Sequence, residues 1–148
     1  MNWSRLLPPP CDDYRGSRLA FYFLVLVAVV STVRSLVHIL APDGGAGSIA
    51  GLAVDVAGGA NIVAMFGQWG ASQLILALLY WLAILRYRSL VPLMLAVVLL
   101  EQALRIGVGQ IKPVEVAAPP PGEIGSYILL PLSLLALFLA LRKTPEAG

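Results

Sequence analysis

Four ionisable side chains fall inside stretches otherwise too apolar to hold charge: Arg34, His38, Glu101 and Arg105. Such groups are costly in lipid, turn toward the protein interior, and mark a functional site by default. Ser31, Arg34, Ser35 and His38 recur at three- and four-residue spacing, so a helix carries them on one stripe. Glu101 and Arg105, four apart, share a second helix face with Gln102 beside them. Trp69, Gln73 and Tyr80 share a third, where Ala77 leaves space, and Ser126 and Ser133 mark a fourth. The chemistry these types offer is recognition of charge. The two guanidiniums are fixed cations, and Glu101 is one anion. Asp55 supplies a second anion only if its segment dips inward. With Asp55 at the surface, the site keeps excess positive charge and favours an anionic head group.

Catalytic patterns are missing. There is no Gly-rich phosphate loop, no paired-histidine motif, no Cys-x-x-Cys and no nucleophile with a spaced base. One cysteine and one histidine cannot build a zinc site, and a haem would find a single histidine. No catalytic residue, metal or cofactor is assigned, and Arg105 opposes use of Glu101 as a base. The ligand-binding candidates are Arg34, His38, Asp55, Gln73, Glu101, Gln102 and Arg105.

Each candidate has a plainer reading beside it. Glu101 and Arg105 could neutralise each other along one helix, and Arg34 could snorkel to the headgroups. His38 could be a hydrogen-bonded structural group. Trp3, Tyr22, Trp81, Tyr87 and Tyr127 read as interfacial aromatic residues, and Cys11 as inert or palmitoylated.

The elements that must position these groups follow from composition. The 148 residues are 59% hydrophobic and 12% charged, against ~45–50% and ~25% in soluble domains. That excludes a disordered chain, a nucleic-acid binder and a disulfide-stapled domain. Val56–Leu85 and Ile124–Leu141 are free of charge. Two further apolar runs, Leu19–Val33 and Ser89–Leu100, reach the ~20 residues needed to cross a bilayer only with Arg34 in the first and Glu101 and Arg105 in the second. The fold expected is all-α: a four-transmembrane-helix bundle with spans 17–41, 61–85, 90–111 and 125–142. A soluble bundle would need polar outer faces that these helices lack. A cleaved leader ending near Ala46–Ala50 is the other alternative.

Basic residues set the sidedness. Arg5, Arg15, Arg18, Arg86, Arg88, Arg142 and Lys143 fall on one side of a four-span chain and only Lys112 on the other. The positive-inside rule then makes both tails, 1–16 and 143–148, cytoplasmic. Pro8–Pro10 should hold the first tail extended, Pro92 suits a helix start, and Pro131 should kink the fourth span. The apolar piece within 48–60 reads as a short extra helix capped by Ser48, interfacial or re-entrant. At ~1.5 Å per residue, Arg34 and Arg105 lie roughly 24 Å from the basic edge, Glu101 about 6 Å deeper and Gln73 at about 20 Å. The polar groups of three helices should therefore meet in one layer of the outer half.

The polar-then-glycine opening Asn61-Ile62-Val63-Ala64-Met65-Phe66-Gly67-Gln68-Trp69-Gly70 and the late arginine in Leu104-Arg105-Ile106-Gly107 resemble small bacterial four-helix membrane proteins of the DoxX-like group. The resemblance covers about half the chain. It implies a bacterial inner-membrane bundle and transfers no activity. Three roles compete. The first is a non-enzymatic protein whose outer-leaflet pocket holds a lipid, quinone or other amphiphile, with Arg34 and Arg105 on the head. The second is an accessory subunit mating with a membrane partner or a second copy. The third, a transport or proton-relay oligomer, needs a polar inner path for which only Tyr80 and Ser133 are available.

Overall fold

A computed structural model of the chain describes residues 7–116 and 118–142. Arg5, Trp3, Lys143 and the 143–148 tail lie outside the described residues, as does the start of the 1–16 tail. Four helices form: α1 (Arg18–Leu40), α2 (Gly59–Leu85), α3 (Val91–Ile111) and α4 (Pro121–Leu141). All four are long and apolar enough to cross a membrane. Among the described residues no strand accompanies them, only one isolated bridge between Cys11 and Tyr87. Large apolar residues face outward on every helix, including Leu26, Val33, Met65, Leu78, Leu93, Leu104, Leu132 and Leu135. A soluble bundle would carry polar residues there.

Local chemistry sets the helix ends. The Ser17 hydroxyl accepts from the Leu19 amide at 3.2 Å and caps α1. The α2–α3 connection is a tight turn with a single 3-10 segment, Arg88–Leu90, and Pro92 sits in the first turn of α3. Helix α4 begins four residues before the expected 125, because Pro121 occupies its first turn, where a missing N–H costs nothing. It runs unbroken through Pro131 to Leu141.

The helices pair as α1 with α2 and α3 with α4, the two pairs meeting less extensively. The packed core sits at the end carrying Arg18, Arg86, Arg88 and Arg142. There Ala20, Leu24, Val27 and Ala28 of α1 meet Tyr80 and Ile84, Val91, Leu95 and Val98, and Ala136 and Ala140. The N-terminal segment is tied to the same end. Tyr87 Oη donates to the Pro8 carbonyl at 2.7 Å, Cys11 N–H to Arg86 at 3.2 Å, and Ser17 N–H to Leu139 at 3.3 Å. Residues 8–17 are thus a strap across the helix ends, and Tyr87 is its anchor. The Trp81 indole N–H donates to Thr32 Oγ1 at 3.0 Å.

The expected short helix within 48–60 does not form. Residues 42–50 are consecutive turns, and Ser48 caps nothing. Asp43 organises the segment: its carboxylate accepts from the amides of Gly45 (2.9 Å), Gly47 (3.1 Å) and Ser48 (2.6 Å). Such local bonds compete with the helical ladder. Gly44 and Gly45, at φ +60° and +73°, take left-handed positions that side chains resist. The amides of Ser48 and Gly45 hold the Asp43 carboxyl down at about 2, from an ordinary 3.8. Because the folded value is the depressed one, this anchoring is complete above the unfolded value and lost as pH falls through the folded one. Amide-exchange protection at Gly45, Gly47 and Ser48 should therefore be flat above pH 4 and fall away toward pH 2. Asp43→Asn should lower it at every pH.

Candidate functional site

Away from the packed end the two helix pairs leave a cavity of about 910 Å³. Val29, Val30, Val33, Arg34, Val37 and His38 of α1 form one wall. Phe66 and Trp69 of α2, Gln102, Arg105 and Ile106 of α3, and Gly122–Leu129 of α4 complete it. The turns around Gly45–Leu52 and the connecting residues 112–114, 116 and 118–120 lie across its far end. Val30 and Val33 line the cavity while remaining 51% and 59% exposed. The wall is therefore open sideways along the outer face of α1.

A charged cluster stands at the cavity's inner edge. Glu101 Oε1 lies 3.7 Å from Arg34 Nη2 and 3.6 Å from Arg105 Nη1, so one carboxylate faces both guanidiniums. Arg34 Nη2 also donates to Gln73 Oε1 at 2.8 Å, and Tyr80 Oη reaches Glu101 Oε2 at 3.4 Å. Side-chain exposures are 26% for Arg34, 20% for Arg105 and 13% for Glu101, so water screens the cluster little. Trp69 adds an aromatic platform: the Arg34 and Arg105 guanidinium carbons lie 5.5 and 5.0 Å from its ring centroid. Both are within cation–π range.

His38 is held by its surroundings. Its ring lies 4.9 Å from Trp69 and 5.5 Å from Phe66, and Nδ1 lies 2.7 Å from the Gly44 carbonyl. A carbonyl accepts only, so Nδ1 carries the proton and pins the first turn after α1. Close packing beneath it depends on Gly70. A Cβ there would lie 2.6 Å from His38 Cβ and 3.1 Å from the Ser35 carbonyl.

Of the candidates read from sequence, Arg34, His38, Gln102 and Arg105 line the cavity, while Gln73 and Glu101 stand behind the arginines. Asp55 does not join them. It is exposed on the connection to α2 and is not among the residues that line the cavity. The cluster therefore keeps one more cation than anion, the arrangement expected to favour an anionic head. Sequence reasoning left Phe66 out of the site and placed Trp69 only on the Gln73 face. The stacking partners of a ring depend on how helices meet, which periodicity within one helix does not encode.

The fold and site define a multi-pass four-helix protein with a charged cluster beside a side-opening apolar cavity. No protein-family model, curated protein or solved structure matches the chain. The functional reading rests on the geometry.

Proposed function

We propose that this is a non-enzymatic inner-membrane protein that binds an amphiphile, with both termini cytoplasmic and the cavity in the outer half of the bilayer. One observation carries the reading: two guanidiniums share a single carboxylate at the edge of a largely apolar cavity that Val30, Val33, Ile106, Phe66 and Trp69 help to line. Apolar cavities with a few convergent polar groups are the usual form of a small-molecule site. The concentration of Arg15, Arg18, Arg86, Arg88 and Arg142 at the packed end supports the orientation. Kinship with the DoxX-like proteins is part of the same proposal and adds no activity to it.

Mass spectrometry of small molecules carried through purification in mild detergent tests the reading. One amphiphile should be retained near stoichiometrically and lost from Gly122→Trp, whose indole would enter the cavity beside Arg105. Equal, non-stoichiometric lipid on both proteins would contradict it.

A further inference from the structure

Which head group the cavity takes is written in the donors left unused. Both arginines face Glu101 Oε1 as ion pairs, at 3.7 Å from Arg34 and 3.6 Å from Arg105, longer than a hydrogen bond. Arg34 also donates to Gln73, although its Nε is buried without a partner, whereas Arg105 donates no hydrogen bond to any described residue. Its Nη1 is buried without a hydrogen-bond partner. Nη2 lies on the opposite side, toward the start of α4, where a Cβ on Gly122 would come within 3.3 Å of it. Three residues earlier on the same helix, Gln102 is 4% exposed, lines the cavity, and has no hydrogen-bond partner among the described residues. A planar guanidinium and a carboxamide one turn apart on one wall form a donor set suited to a group with two or more acceptor oxygens.

Charge selects among such groups. Glu101 offsets one of the two arginines, and at the cavity's far end Lys112 and Glu123 offset each other, leaving one positive charge for an occupant. Shape selects the rest. Ile106, Val30 and Val33 line the same cavity as Arg105, and at the exposed valines the wall is open to the side.

Resting on the amphiphile reading above, we infer that the ligand is a single-chain anionic amphiphile: a carboxylate or phosphate head on Arg105 and Gln102, its chain leaving across Val33 and Val30. The head is an oxyanion in either case, and the path accommodates a chain entering from the membrane without crossing the polar end of the bundle. Neutral head groups, quinones among them, satisfy Gln102 but leave the Arg105 charge unmet.

Fluorescence of Trp69 tests this, since its ring lies 5.0 Å from the Arg105 guanidinium carbon. Trp3→Phe/Trp81→Phe protein in phosphatidylcholine nanodiscs would be titrated with stearic acid, stearyl lysophosphatidic acid and stearyl alcohol, each brominated near the head. At least one anion should quench saturably, and its unbrominated form should reverse the quenching. The alcohol should need about tenfold more, a difference of ~1.4 kcal/mol. Arg105→Gln should abolish that preference; Gln102→Leu, which leaves the ion cluster intact should the first variant fail to fold, should weaken binding of the anions and the alcohol alike. Saturation by the acid alone identifies a carboxylate head; saturation by the lysophosphatidic acid alone identifies a phosphate. If the alcohol saturates as tightly as the anions, the oxyanion inference falls and the amphiphile reading stands. If no probe saturates, both fall.

Discussion

Replacing Glu101 by glutamine is expected to destabilise the protein by about 3 kcal/mol, the low end of the cost of breaking a buried ion pair. The side chain changes little in shape, so the effect is electrostatic. Arg34 and Arg105 both face Glu101 Oε1, and without its charge two poorly hydrated cations confront each other across the cavity edge. Arg34→Gln should cost less, because Glu101 and Arg105 remain a neutral pair. Combining Arg34→Gln with Glu101→Gln should recover much of the loss, and such non-additivity is the signature of a shared network. Thermal unfolding in detergent, read on all three variants, decides it. A pair acting only along α3 would give Glu101→Gln a cost of ~0.2–0.5 kcal/mol and no recovery.

Gly70→Val should be nearly as damaging, by about 3 kcal/mol, the upper end of the usual overpacking cost. The position is buried where α2 crosses α1. A Cβ there would meet His38 Cβ and the Ser35 carbonyl, and neither belongs to a side-chain end that can swing away. Separating the helices would also carry Trp69 from His38 and Gln73 from Arg34, so destabilisation and damage to the site should appear together. Gly70→Ala should follow in the same direction with a smaller loss. Gly107, with nothing within 4 Å of its Cβ position, is the control: Gly107→Ala should be neutral or stabilising by up to ~1 kcal/mol through helix propensity. Equal thermal midpoints for Gly70→Val and the parent would show that the close approach does not hold the pair together.

What the sequence made legible differs by element. Charge-free length was enough for two of the four long apolar helices, and the other two emerged only once Arg34, Glu101 and Arg105 were allowed inside them, because bilayer thickness sets the length required. Helical phase was enough to put Arg34, Glu101 and Gln73 on inward stripes, because side chains three and four apart share a face whatever the neighbours do. The segment after α1 defeated the same logic. Ile49–Val54 is apolar enough for a helix, yet the Asp43 carboxylate and left-handed glycines hold turns in place of the ladder. Asp55 was left between two placements for a related reason: its position depends on the path of an irregular connection, and periodicity says nothing about such a path. The early start of α4 was legible in principle, since Pro121 at a first helical turn is a start signal as readily as a stop. Gly70 was visible only as a landmark, and its reason lies on another helix.

Solid-state NMR on the protein in phospholipid bilayers tests the central claim most directly. With guanidinium nitrogens labelled in arginine and the side-chain carboxyl carbon in glutamate, the Glu101 carboxyl should couple to both Arg34 and Arg105 at separations below about 5 Å, as direct ion pairing requires. Arg34 should show no contact with bilayer phosphorus. An Arg34 guanidinium that couples to lipid phosphate and leaves Glu101 to Arg105 alone would contradict the account, because the shared carboxylate on which the binding site is built would not exist.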